Sequence, residues 1–264
     1  MHRPPALAAV AVVAALAGGG CSITPLSLGA TSSVGASTAQ PTEADWRKDM
    51  QVYGARYRAN PQDANAGIRY AQALRAVGQR AQAAAVLEQS AILNPRNQAV
   101  LGAYGRALAD NGNYEQALEV LNRAHSPDQP DWRILSVQGA VLDQMGRHPD
   151  AQRHYASALR LMPDEPSVLS NLGLSYALAK DLPRAEATLR RAAERPGAEA
   201  KVRQNLALVI GLQGRFQEAE TIARGDLSPS EAAANVAYLQ QMLAQQNDVK
   251  KDQRGSPLAS ASRS

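Results

Sequence analysis

Apolar residues recur at helical spacing through the middle of the chain, as in Leu101, Tyr104 and Leu108, or Leu169, Leu172 and Tyr176. Steps of three and four residues place each set on one face of an α-helix. Turn signals interrupt the pattern, among them Gly112-Asn113 and Gly146-Arg147-His148-Pro149, residue types that punctuate helices. A second apolar face follows each turn, with Ala117, Leu121 and Ala124 in one case and Ala151, Tyr155 and Ala158 in another. The pattern predicts helix-turn-helix units and an all-α fold.

The units repeat. Adding 34 to Gly78 gives Gly112, Gly146, Lys180 and Gly214. The same step from Ala83 gives Ala117, Ala151, Ala185 and Ala219, and from Ala71 it gives Gly105, Gly139, Gly173 and Ala207. Small residues in the middle of both helices let their axes approach closely, and Leu87, Leu121 and Leu189 are expected to fill the space between units. Pro61, Pro95 and Pro163 stand in the same register as helix stops. These columns resemble the tetratricopeptide repeat (TPR), with Tyr70 and Tyr104 in the tyrosine-like slot of the first helix. The resemblance implies a TPR solenoid of five units at 64–97, 98–131, 132–165, 166–199 and 200–233.

Both ends of a solenoid need covering. Residues 42–63, opening Thr42-Glu43-Ala44-Asp45 and carrying Trp46, Tyr53 and Tyr57, are expected to supply an amino-terminal capping helix. Ser228-Pro229-Ser230-Glu231 is a capping box with proline at the first helical position, predicting a carboxy-terminal helix over 228–246. Residues 247–264, rich in Lys, Ser and Gly, read as a disordered tail.

Composition adds little to the fold and more to the compartment. Hydrophobic residues make up 45% of the chain but aromatic ones only 4%, which disfavours a β-sandwich and suits helices packed through small side chains. The net charge of +4 is too mild to require a nucleic-acid partner. Residues 1–20 have a basic start, an apolar stretch from Ala6 to Ala17 and then Gly18-Gly19-Gly20. That is the pattern of a signal peptide, and it is too short to span a bilayer. The one cysteine, Cys21, follows directly. The segment resembles the lipobox of bacterial lipoproteins, although Gly18 stands where that family has leucine. The resemblance implies acylation of Cys21 and an outer-membrane, periplasm-facing destination, since Ser22 rather than Asp follows it. Without lipidation the chain would be soluble in the periplasm. Residues 21–41, mostly Ser, Thr, Gly and Ala after the cysteine, read as a flexible tether.

An enzyme would need a reactive constellation. The sequence holds no Gly-rich phosphate loop, no Gly-x-Ser-x-Gly elbow and no His-Glu-x-x-His. His125, His148 and His154 read as solvated surface histidines, so neither a metal nor a cofactor is expected. What remains is binding. TPR arrays hold peptides in a groove lined by their first helices, and the resemblance places Asn65, Arg69, Gln72, Arg75, Arg106 and Arg133 there toward the amino end. Asn171, Asn205, Leu174, Leu178, Leu208 and Leu212 follow toward the other end, with Asn235 extending the amide row. Arginine forks suit carboxylates, and asparagine amides suit peptide backbone. Ordinary solvation of the arginines and covering of the leucines by the last helix are the competing readings.

The run Leu227-Ser228-Pro229-Ser230-Glu231-Ala232-Ala233-Ala234-Asn235-Val236-Ala237-Tyr238-Leu239, together with the lipobox-like start, resembles the TadD family of TPR lipoproteins from tight-adherence (Tad, Flp-type) pilus machinery. That resemblance implies a non-catalytic accessory whose partners are other pilus or secretion-system proteins, held at the membrane through Cys21. A general periplasmic TPR adaptor for other envelope complexes is the alternative. A non-catalytic subunit or remnant of a TPR-fused enzyme is the third reading.

Overall fold

A computed structural model describes residues 41–255, with side-chain surroundings through residue 245. The expected signal peptide at 1–20, Cys21, the tether as far as Gln40, and residues 256–264 lie outside the described residues.

The described residues form twelve α-helices and no strand. The first, α1 (Glu43–Ala59), precedes five helical hairpins. These are α2 (Ala64–Ala76) with α3 (Arg80–Leu93), α4 (Gln98–Asp110) with α5 (Tyr114–Arg123), and α6 (Trp132–Gln144) with α7 (His148–Leu161). Then come α8 (Pro166–Leu178) with α9 (Leu182–Ala193) and α10 (Ala200–Leu212) with α11 (Phe216–Ala223). The last helix is α12 (Pro229–Gly255). The architecture is a TPR solenoid with a helix at either end.

The turn within each hairpin follows from local chemistry. Gly78, Gly112, Gly146 and Gly214 take φ of 83, 81, 74 and 83°, a region glycine enters without steric cost. The amide after each glycine then reaches back to a carbonyl near the helix end, as Gln79 N does to the Leu74 carbonyl at 2.8 Å and Arg147 N to Leu142 at 2.8 Å. These bonds satisfy carbonyls that the helix end would leave bare. Lys180 holds the same place with φ of 65° and the same bond pattern, without glycine's freedom. The first helices are capped just as regularly. Asp63, Asn97, Asp131 and Glu165 each accept backbone N–H groups at the start of α2, α4, α6 and α8.

The small columns mark helix crossings. A β-carbon on Gly105 would stand 2.5 Å from Leu121 Cγ, one on Gly139 2.6 Å from Tyr155 Cε1, and one on Gly173 2.6 Å from Leu189 Cγ. Leu121 and Leu189 therefore fill space inside their own hairpins rather than only between units, as the sequence had suggested. Ala83, Ala117, Ala151, Ala185 and Ala219 are buried on the facing helices, none more than 1% exposed. Contacts between units use other positions, as where Ile134 of α6 meets Gly102 of α4.

The junction between α5 and α6 differs from its neighbours. Residues 124–131 form the longest connection between hairpins, and α5 packs less extensively on α6 than α3 does on α4 or α7 on α8.

At the amino end, Thr42 and Asp45 cap α1 reciprocally, and the Tyr57 ring lies 6.0 Å from that of Tyr70 on α2. At the other end, Ser228 N donates to Glu231 Oε2 at 3.0 Å and Glu231 N to Ser228 Oγ at 3.3 Å. Ala232, Val236 and Leu239 of α12 are buried, with Leu239 against Gly211 of α10. The helix runs on past Gln246 to Gly255, so the first part of the expected disordered tail is helical. Residues 247–254 contain no glycine or proline to oppose it.

Candidate peptide-binding groove

The first helices line a groove in three neighbouring segments. One, of about 430 Å³, lies across α2, α4 and α6, with Gln72, Arg75, Arg106 and Arg133 above the apolar side chains of Ile68 and Ile134. The next, of about 600 Å³, shares Arg75 and Arg106 and continues to Ser136, Asn171 and Lys201. The third, of about 310 Å³, shares Asn171 and Lys201 and ends beside Glu199 and Asn205. Neighbouring segments share lining residues, Arg75 and Arg106 in one case and Asn171 and Lys201 in the other.

Six residues expected at this surface line it: Gln72, Arg75, Arg106, Arg133, Asn171 and Asn205. Arg69 and Asn65 are exposed on α2 and line none of the segments. The reason is positional, because α2 begins the row of first helices and has a neighbouring first helix on one side only. Asn235 is likewise exposed and outside the segments. The shortened α11 brings α12 in early, so the step of 34 from Asn205 lands on the buried Leu239. Leu174, Leu178, Leu208 and Leu212 are half-buried and lie outside the segments too.

The arginines are not equivalent. Arg75 is paired with Asp110 at 2.5 Å. Arg133 is exposed and lies over the Trp132 ring at 4.5 Å, a cation–π stack within one turn of α6. Arg106 has no acidic partner among the described residues, and its Nε is buried without a hydrogen bond. Burial, and next the nearby Arg75 guanidinium, lower its pKa, and Asp131 partly opposes them.

The asparagines are already half employed. Asn171 Nδ2 donates to Ser136 Oγ at 3.2 Å, and Asn205 Nδ2 donates to Ser170 Oγ at 2.9 Å. Each link ties one first helix to the preceding one and fixes the amide's orientation, leaving the Oδ1 atoms without a donor among the described residues. Lys201, Ser136 and Asp131 were not singled out from the sequence. The serines had a usable signal, since Ser136 and Ser170 stand 34 apart, each 35 before its asparagine partner.

The histidines are not simply solvated. His148 Nδ1 lies 2.8 Å from Asp143 Oδ1, whose carboxylate is buried and also accepts from Ser175 Oγ at 2.8 Å and Tyr155 Oη at 3.1 Å. The pull is Asp143 itself: a buried carboxylate draws every donor within reach. Burial, and then the Asp143 charge, raise the pKa of the Tyr155 phenol, keeping it a donor. His154 Nδ1 bonds the Asp150 carbonyl at 3.0 Å, and His125 Nδ1 is buried. The cluster at Asp143 joins α6, α7 and α8 within the core, away from the groove lining.

Comparison with known proteins agrees with this architecture. Residues 74–140 and residues 137–200 each match a tetratricopeptide repeat family model. The uncharacterized protein y4yS of Sinorhizobium fredii (strain NBRC 101917 / NGR234) is 34% identical over 104 residues, and the match spans 39% of this chain and 57% of that protein. PilW, a widely conserved type IV pilus biogenesis factor, superposes with a TM-score of 0.62 at 18% identity, over 76% of this chain and 91% of PilW. The Cut9–Hcn1 hetero-tetramer of the APC/C also gives 0.62, at 16% identity over 78% of this chain and 40% of that one. The thermophilic TPR protein TTC0263 of Thermus thermophilus gives 0.58 at 21% identity, over 67% of this chain and 99% of its own. At these identities the structural matches speak to the fold.

Proposed function

With residues 74–200 being tetratricopeptide repeats, we propose that the chain is a non-catalytic scaffold of the TadD type. In this reading it is anchored to the outer membrane through lipidated Cys21, faces the periplasm, and holds protein partners while a Tad/Flp-type pilus secretion apparatus assembles. The observation that carries the binding role is the row of three neighbouring concavities along the first helices, from Arg75 and Arg106 to Asn205, lined by groups suited to peptide. The compartment is supported by the signal-like residues 1–20 ahead of a lone cysteine. The pilus role is supported by the run from Leu227 to Leu239, and PilW, described as a pilus biogenesis factor, uses the same fold.

Two experiments separate the parts. Cys21→Ser should move the protein from the membrane to the soluble fraction of the cell envelope, and continued membrane association would defeat the lipid anchor. Deleting the gene should abolish or reduce surface pili. Normal piliation in the deletion strain would discard the pilus role and leave a general periplasmic adaptor.

A further inference from the structure

Two columns of the repeat change character at one junction. The 34-residue series Tyr70, Tyr104, Gln138, Leu172 and Leu206 is buried throughout, and Gln138 alone in it carries an amide. The series Ala91, His125, Leu159, Ala193 and Leu227 is apolar except at His125, and its four other members pack against the hydrophobic core. Both exceptions fall where α5 meets α6. Gln138 Nε2 donates to Asn122 Oδ1 at 2.8 Å, while its Oε1 is buried with no protein donor. His125 Nδ1, three residues beyond Asn122 in the chain, is also buried without a protein partner. Amide and imidazole groups gain less on leaving water than the apolar side chains that hold these places elsewhere, and an unmatched buried polar atom adds a cost of its own.

The same junction is the most sparsely packed between hairpins. α5 packs less extensively on α6 than α3 does on α4, α7 on α8 or α9 on α10, and the connection over 124–131 is the longest. α5 has only 10 residues, and a helix so short keeps little structure once its tertiary contacts are lost. α6 is held to α4 more closely, through Ile134 Cδ1, which a β-carbon on Gly102 would meet at 2.6 Å. We propose that the solenoid opens locally here, the end of α5 and its connection parting from α6 about the Ile134–Gly102 contact, and that His125 and Gln138 select this junction over the others. The parting lies in the layer of second helices, so it bends the array toward its first helices. It therefore alters the concavity across α2, α4 and α6 and leaves the one between α8 and α10 as it is. The device is independent of which partner docks.

Hydrogen exchange read by mass spectrometry on the full-length protein in detergent provides the test, since amides report local opening below the global transition. Amides from Leu118 to Asn122 should be protected about tenfold less than those one repeat away on either side, at Ala84–Glu88 and Gln152–Ala156. Equal protection in the three stretches overturns the proposal. The double variant His125→Leu with Gln138→Leu installs the residues that the columns carry at Leu159 and Leu172. It should raise protection at Leu118–Asn122 about tenfold and leave α9, α10 and α11 unchanged. Unchanged protection there, in a chain with native circular dichroism, overturns the proposal. So does a rise of the same size in every helix, which would mean a gain in global stability instead of a closed junction. If the double variant does not fold, Gln138→Leu alone is judged by the same two criteria. Leu172→Gln, which carries the amide into the next unit, should lower protection at Gln152–Ala156. If it folds and leaves them as they are, polarity in this column does not select the opening and the proposal fails.

Discussion

Gly173 and Leu189 offer a test in which a sign, and not only a size, is at stake. A β-carbon at Gly173 would stand 2.6 Å from Leu189 Cγ and 3.2 Å from both of its δ-carbons. Leu189 is fully buried, so it cannot swing into solvent. Gly173→Ala should therefore incur an overpacking cost of about 1–3 kcal/mol. Alanine's better helix propensity returns about 1 kcal/mol, leaving a net loss of roughly 0–2 kcal/mol. Leu189→Ala alone removes a buried side chain and should cost about 2–5 kcal/mol. In that background the obstructing carbons are gone, so adding Gly173→Ala should now stabilise by about 1 kcal/mol. The coupling energy of the cycle is then about 1–3 kcal/mol, well above the scatter for independent sites. The last hairpin already contains this arrangement, with Ala207 and Ala223 at the equivalent positions, both buried. Urea midpoints for the four proteins, followed together by circular dichroism and tryptophan fluorescence, provide the measurement, since repeat arrays need a check on cooperativity. Gly173→Ala that destabilises equally in both backgrounds would refute the packing argument.

Three further outcomes are expected. Lys180→Gly should raise stability by up to about 1 kcal/mol, because Lys180 adopts φ of 65° where the other turns have glycine; a lower melting midpoint would contradict this. Burial pushes the Glu186 carboxyl up, but hydrogen bonds from Gln213, Arg190 and Arg215 outweigh it and hold the pKa at about 2. A depressed carboxylate pKa means that this cluster's contribution is fully present above about pH 4.5 and is lost as pH falls toward about 2. Glu186→Gln should flatten that limb of a stability-versus-pH curve, and an unchanged limb would show that other groups control it. Tyr155→Phe should cost about 1–3 kcal/mol by stranding an oxygen of the buried Asp143 carboxylate, measurable as a lower urea midpoint.

The repeat was legible because its physics is local and periodic. A β-carbon would collide at the same crossing in the three central hairpins, Ala71 and Ala207 hold that place in the outer two, and a left-handed turn is needed at the same step, so Gly and Ala columns appear at 34-residue spacing. The site was legible by helix face but not by burial. Arg69 and Arg106 are both arginines on first helices, yet the first is exposed and the second has a first helix on each side of its own. That difference depends on neighbours supplied from residues about 30 positions away, roughly one repeat length. The same limit hid the Asp143 cluster, whose donors come from α7 and α8, and the use of Asn171 and Asn205 as links between units. The extension of α12 was hidden differently. The Lys, Ser and Gly content of residues 247–264 reads as a disordered tail, although nothing before Gly255 opposes a helix already under way.

Pulled along its length, a chain of stacked hairpins yields at its most compliant junction, because each unit leans only on its neighbours. Serine–asparagine links brace α6 to α8 and α8 to α10, and the Arg75–Asp110 pair braces α2 to α4. Between α4 and α6 no hydrogen bond joins the first helices among the described residues; there the connection between hairpins is longest, α5 packs less on α6 than at the other junctions between hairpins, and a side-chain bond from Gln138 Nε2 to Asn122 Oδ1 at 2.8 Å crosses the gap. Strain applied from either end therefore concentrates at one hinge instead of spreading evenly. The same hinge flanks Arg106, so bending of the solenoid and the width of the concavity beside that guanidinium are mechanically coupled.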